Sequence, residues 1–258
     1  MKRVLLMGDP HCGHLAGLTS PEFQSHPEDE TLSKFAAIQA ESWAWYFETV
    51  QSLRPFALVV LNGDAVDGKG PKSGGTEQLT TDRTRQIAMA RRVVEATECG
   101  NVLMTFGTGY HTGDDEDWEM VLARELDAKI GSHEWAEVNG VVFDLKHHIG
   151  SSSIPHGRAT AIARDRLWNL LWVERDEQPK AQVYVRSHVH YFQYVGGPDW
   201  LAMTLPALQA AGTKYGGRRM SGTVDYGFVT FDVQDDGGYS WQPHLARIES
   251  QRARAFTV

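Results

Sequence analysis

Short apolar runs recur along this chain, and each ends on a small cluster of carboxylates or imidazoles. Val4-Leu5-Leu6-Met7 leads into Asp9-Pro10-His11, and Ala57 to Leu61 leads into Asn62-Gly63-Asp64-Ala65-Val66-Asp67. Val102 to Phe106 leads into Gly107-Thr108-Gly109-Tyr110-His111, Gly140 onward into His147-His148, and Ala181 to Val185 into His188-Val189-His190. Near-continuous apolar runs of this length read as buried strands. Between them lie longer amphipathic stretches: Ser33 to Leu53 closed by Pro55, Thr84 to Glu98 before Cys99-Gly100, Asp117 to Lys129, and Arg158 to Glu174. These read as helices, and the first three strands with their helices form βαβαβ, hence a parallel sheet. Trp43 and Trp45, and Trp168 and Trp172 at i, i+4, are expected to fill the core.

The last third is richer in β-pattern. Leu201 to Leu205, Val224 to Val233 and Tyr239 to Ala246 read as strands, the last two joined through Asp235-Asp236-Gly237-Gly238, and suggest a meander closing a second sheet. No linker divides the 258 residues, so 1–258 reads as a single domain. The N-terminal apolar run is too short for a signal-peptide core and nothing approaches a membrane span, so a soluble, cytoplasmic protein with no membrane partner is expected. Two cysteines, Cys12 and Cys99, make no disulfide framework. A net charge of −8 argues against a broad basic surface for long nucleic acid.

Ligands on open α/β sheets bind beyond the carboxyl ends of the strands, where all these clusters fall. Asp9 and His11 are two residues apart, so an extended segment points both to one side. Gly63 permits a sharp turn that leaves the Asp64 carboxylate free to bridge two cations, and Asp67 is placed to accept a hydrogen bond from a metal-bound histidine. Two imidazoles spaced as His188 and His190 after a strand suit transition ions.

In this order the clusters resemble the calcineurin-like metallophosphoesterase superfamily, whose motifs Asp-X-His, Gly-Asp-X-X-Asp, Gly-Asn-His, a strand-end His and Gly-His-X-His match from about Val4 to His190. The resemblance implies an α/β fold, a four-layer α-β-β-α sandwich of two mixed β-sheets flanked by helices. It implies Asp9, His11, Asp64 and His190 at one ion, and Asp64, His188 and either His147 or His148 at the other, with Ser187 in place of the usual Gly. The third motif departs: Gly107-Thr108-Gly109-Tyr110-His111 lacks the Asn ligand. Thr108 is the candidate neutral oxygen ligand in its stead, and one of Asp114, Asp115 and Glu116 either compensates for the Asn or, as is commoner at a helix start, caps the helix beginning near Asp117. His111 matches either the histidine that assists the leaving group or the vacant coordination position, and Asp67, the second Asp of Gly-Asp-X-X-Asp, is counted with it among the catalytic residues.

The implied chemistry is hydrolysis of a phosphoester by a metal-bridging hydroxide that attacks phosphorus, with His111 as candidate general acid. The implied cofactors are two divalent metal ions, Mn²⁺ first, with Fe²⁺, Zn²⁺ or Ni²⁺ as alternatives. Arg158, Arg218 and Arg219, with Lys214, are candidate phosphate contacts. The expected partner is a phosphoester substrate, small molecule or nucleotide. A nuclease or nucleic-acid end-processing phosphatase of the same superfamily is the alternative, and a non-catalytic scaffold the third reading. Oligomeric state has no sequence signal here.

Overall fold

The protein is described by a computed structural model that covers residues 1–26, 28, 32–113, 117–211, 222–253 and 255–257. Strand β1 (Lys2–Met7) is followed by helix α1 (Ser33–Leu53), β2 (Leu58–Asn62), α2 (Arg83–Glu95), β3 (Val102–Thr105), the single turn α3 (Gly109–Thr112), α4 (Trp118–Glu125) and β4 (Lys129–Gly131). Then come β5 (Glu134–Val138), β6 (Val141–Leu145), α5 (Arg158–Glu174), β7 (Val183–Arg186), β8 (Gln193–Gly197), β9 (Trp200–Thr204), β10 (Tyr226–Val233) and β11 (Tyr239–Ala246).

Alternation in the strands explains the layers. Leu5, Met7, Val59, Leu61 and Met104 turn toward Ile38, Tyr46 and Val50 of α1, Ile87 and Val93 of α2 and Leu122 of α4. Their neighbours Val4, Leu6, Val60 and Leu103 turn the other way and meet Phe143, Leu145, Val183, Val185 and Met203 of the second sheet. Strands with both faces apolar must be covered on both, which forces helices outside and a sheet inside. The second sheet's outer face, through Tyr184 and Ala202, packs on Ile162 of α5. The result is the expected four-layer α-β-β-α sandwich of two mixed sheets, in the orders β11-β10-β1-β2-β3-β4 and β5-β6-β7-β9-β8.

Four local expectations are corrected. The β10–β11 pair does not close the second sheet. It extends the first, with β10 antiparallel to β1 (Val4 opposite Phe231, Leu6 opposite Val229), because β1 would otherwise present an open edge. The third helix stops at Glu125, and Lys129 begins β4 beside β3. The turn at Asn139-Gly140, both at positive φ, joins β6 to a strand the pattern did not suggest, β5. Asp82, whose side chain accepts from the backbone N–H of Thr84 and Arg85, starts α2. Trp43 and Trp45 pack against the first core as expected. Trp168 and Trp172 do not fill a core: they are 54% and 37% exposed on the outside of α5.

Candidate metal centre

The loops after β1 and β2 run side by side beyond the sheet. Asp9 N–H donates to Gly63 O, His11 N–H to Asp64 O and Asp67 N–H to Cys12 O, each at 3.0 Å. This continued pairing carries Asp9, His11, Asp64 and Asp67 to one edge. The backbone there bends sharply: Asp9, His11, Asp64, His188 and His190 all have positive φ, between 44° and 71°. Left-handed non-glycine residues each cost of order 1–3 kcal/mol and gather where function holds them. Here they turn five side chains toward a single point.

Asn62 clamps the strand ends beneath that point. Its amide donates to Ser187 Oγ at 2.7 Å and Lys146 O at 3.2 Å, and its carbonyl oxygen accepts from Thr105 Oγ1 at 2.9 Å. One side chain thus ties β2 to β3 and to the ends of β6 and β7. Ser187, which stands where the family pattern has Gly, is part of this clamp.

Three sets of ligating atoms converge: Asp9, His11 and His190; His11, Asp64 and His111; and Asp64, His147 and His188. His11 Nε2 lies 3.2 Å from His190 Nε2, 3.8 Å from Asp9 Oδ1 and 3.9 Å from Asp64 Oδ2, while its Nδ1 is 2.8 Å from Asp67 Oδ1. His147 Nδ1 is 2.8 Å from Asn62 O. A carbonyl only accepts, so His147 carries a proton on Nδ1, and its Nε2 is the ring atom left to face Asp64 Oδ2, 3.1 Å away. Gly63 admits this imidazole, since a Cβ there would overlap the His147 ring.

The donor set fits divalent cations. Asp9 Oδ1 and His147 Nε2 are buried without a hydrogen-bond partner, although the first lies 3.1 Å from His190 Nε2 and the second 3.1 Å from Asp64 Oδ2. Such proximity without hydrogen-bond geometry is expected of atoms aimed at a common third body. Hard carboxylate oxygens and neutral imidazoles together suit first-row transition ions.

Electrostatics point the same way. Burial, the largest influence, disfavours charge on His11, yet hydrogen bonds with Asp67 and Asp9 and the Asp64 charge push it up to about 10. His147 is likewise pushed up to about 9, burial being outweighed by Asp64. Asp9, Asp64 and Asp67 are held well below the usual carboxylate range, the charges and hydrogen bonds of the histidines exceeding the cost of burial. His188 is lowered to about 4, by burial first and His147 next. The cluster has an excess of negative potential that protons satisfy and that cations would satisfy in their place.

The remaining expected residues divide. His147 is buried in the cluster, whereas His148 is exposed and its ring lies 4.7 Å from that of His188. Thr108 reaches Asp64, but as a donor: its N–H is 2.7 Å and its hydroxyl 3.1 Å from Asp64 Oδ1. Gly107 permits this approach, because a Cβ there would overlap Asp64. His111 sits edge-on to His11 with ring centroids 4.6 Å apart, its Nδ1 3.1 Å from Asp67 O and 3.2 Å from Asp67 Oδ1. Arg158 stacks over Tyr191, the residue after His190, at 4.0 Å. Lys214, Arg218, Arg219, Asp114, Asp115 and Glu116 lie outside the described residues.

Sequence reasoning missed Glu119. Fully buried, its two carboxylate oxygens accept from Ala65 N–H and Gly107 N–H, each at 2.6 Å, and so join the loop after β2 to the loop after β3. Burial, then the nearby Asp64 charge, pushes it up to about 8. In sequence it looks like an ordinary acidic residue in a first helical turn, and nothing there signals the contact.

No family model matches the chain, and no curated protein does. Among solved structures it is similar to wild-type Vps29 from Entamoeba histolytica complexed with zinc (12% identity, 94% of this chain and 98% of that chain, TM-score 0.46). It is also similar to Vps29 from Chaetomium thermophilum (10%, 95% and 98%, TM-score 0.49) and to an archaeal phosphodiesterase (11%, 94% and 99%, TM-score 0.44). Likenesses this distant carry no statement about activity. The chain's own strand order and side-chain positions define an α/β sandwich with a His/Asp cluster able to hold metal ions. No helix among the described residues is long and apolar enough to cross a membrane.

Proposed function

We propose that this protein is a metal-dependent phosphoesterase. The observation that carries the reading is Asp64, whose carboxylate lies between two sets of ligating side chains, Asp9, His11 and His190 on one side and His147 and His188 on the other. Asp9, His11, Asp64, His147, His188 and His190 would hold two divalent cations, Mn²⁺ first among Mn²⁺, Fe²⁺, Zn²⁺ and Ni²⁺, which when bound would supply positive charge for phosphate oxygens and lower the pKa of a water. The chain's own residues do the rest. Asp67 fixes the His11 ring, Asn62 O fixes His147, and Thr108 and Glu119 hold Asp64 and its loop in place. His111, partly exposed beside His11, is positioned to give a proton to the leaving oxygen, with Asp67 as its support. Arg158 stacks over Tyr191, the residue after His190, and is the basic side chain we assign to substrate phosphate.

The test is metal content of the purified chain, followed by Mn²⁺-dependent hydrolysis of an aryl monoester, an aryl diester and single-stranded DNA. Hydrolysis that disappears in Asp64→Asn together with bound metal supports the proposal. Fewer than one ion per chain and turnover of none of the three would refute it.

A further inference from the structure

The outward face of α5 carries an apolar stripe on which no other described strand or helix packs; only Arg175 of the following turn lies over it, 5.4 Å from the Trp172 ring. Ile162 and Asn169 face inward, the latter held by Ala181 N–H at 3.2 Å and Tyr184 OH at 3.1 Å. On the opposite side Leu167, Trp168, Leu171 and Trp172 are 56%, 54%, 46% and 37% exposed. Among the described residues nine large apolar side chains are exposed, and four of them share this one helix. Scattered exposed residues need no partner, but a contiguous group containing two tryptophans marks an interaction surface.

The charges around the stripe identify the partner. Arg164 lies on the same face one turn before Leu167 and Trp168, and Glu174 one turn after Leu171, both exposed. Neither has an ion-pair or hydrogen-bond partner among the described residues, whereas Arg175 is engaged with Glu177 at 2.7 Å. Arg158 opens the helix and Glu174 ends it, the reverse of what the helix dipole favours. An antiparallel copy of α5 would cover the stripe and supply partners for Arg164 and Glu174 at once. The midpoint of Arg164 and Glu174 is the level of residue 169, and so is the midpoint of Leu167 and Leu171. A two-fold axis at that level therefore sets Leu167 against the partner's Leu171 and Arg164 against the partner's Glu174 in a single register. Trp168 and Trp172 then flank the crossing.

We propose that α5 is the interface of a two-fold symmetric dimer, built by antiparallel packing of this face on a second copy of the chain. A closed two-fold contact of this kind uses the same patch on both subunits. One helix face is small for an interface, so the dissociation constant is expected on the order of micromolar.

Sedimentation equilibrium of the full chain, from a few micromolar to several hundred, tests this. A reversible monomer–dimer equilibrium is expected, with Leu171→Glu or Trp168→Glu leaving monomer. Arg164→Glu and Glu174→Arg should each weaken the dimer about tenfold, and the double variant Arg164→Glu/Glu174→Arg should restore it. All four sites are exposed, and unchanged circular dichroism confirms that the variants fold. A chain that stays monomeric throughout overturns the proposal, as does a dimer indifferent to Leu171→Glu or a double reversal no tighter than either single one.

Discussion

His11 Nδ1 lies 2.8 Å from Asp67 Oδ1, and this contact leaves His11 Nε2 facing Asp9, Asp64 and His190. Asp67 therefore sets both the tautomer and the direction of the imidazole without itself facing the converging atoms. Carboxylates in that position typically account for about 10- to 100-fold in metal affinity. Asp67→Ala is expected to weaken the tighter ion by that factor while the fold persists. Calorimetric titration with Mn²⁺ measures it, and unchanged affinity would assign Asp67 to His111 alone.

Thr108 meets Asp64 as a hydrogen-bond donor, with both N–H and hydroxyl on Oδ1. If that is its task, Thr108→Ser retains metal binding and Thr108→Val loses only the hydroxyl's bond to a charged acceptor. Such a bond is worth about 1.5–3 kcal/mol, and the surviving N–H bond places the expected loss near the low end, roughly tenfold in affinity. A loss above a thousandfold would mean that the hydroxyl is itself a ligand.

His111 stands beside Asp67 and His11 with one face toward solvent. As the proton donor to a leaving oxygen, its removal in His111→Ala should cost about 10²- to 10⁴-fold in turnover for alkyl esters and far less for nitrophenyl esters. Equal losses across the leaving-group series, accompanied by a drop in bound metal, would make it a ligand.

A second buried network predicts acid sensitivity. Asp144, fully buried on β6, forms an ion pair with Arg186 at 2.8 Å and lies 2.9 Å from His133 Nε2, while Arg186 also reaches Asp165 at 2.6 Å. Burial raises the Asp144 pKa, but the Arg186 charge and the His133 hydrogen bond more than offset it, so the group is lowered from its ordinary 3.8. A depressed carboxylate contributes stability above its unfolded-chain value, and that contribution is lost as pH falls through the folded value. Asp144→Asn is expected to cost about 3 kcal/mol at pH 7, leaving buried Arg186 incompletely paired. The gap from the natural chain should begin to narrow as pH falls below about 4 and close only as pH falls through the depressed folded value. Urea unfolding at pH 7 and pH 3.5 checks both, and a pH-independent gap would show that packing, not charge, is lost.

Glu119 and the α5 tryptophans show where local pattern runs out. Asp9, His11, Asp64, His188 and His190 were legible because each follows an apolar strand, and a strand's end has a fixed place in a parallel sheet. Glu119 was not, because its contact with Ala65 and Gly107 depends on how α4 docks against two loops distant in sequence. Trp168 and Trp172 were misread because helical spacing groups side chains on a face without saying whether anything covers it.

By itself the sequence determined the alternation of strands and helices, the inward and outward faces of β1 and β2, and the delivery of five polar clusters to strand ends. These follow from φ/ψ preferences and from the two-residue and 3.6-residue periods, which act over a few neighbours. Tertiary structure alone decided that β10 covers the β1 edge, that His147 and not His148 turns inward, that Thr108 donates to Asp64, and that one face of α5 stays open. Each depends on which group distant in sequence supplies a hydrogen-bond partner or a surface to bury: Asn62 O for His147 and the Asp64 carboxylate for Thr108, while Trp168 stays 54% exposed.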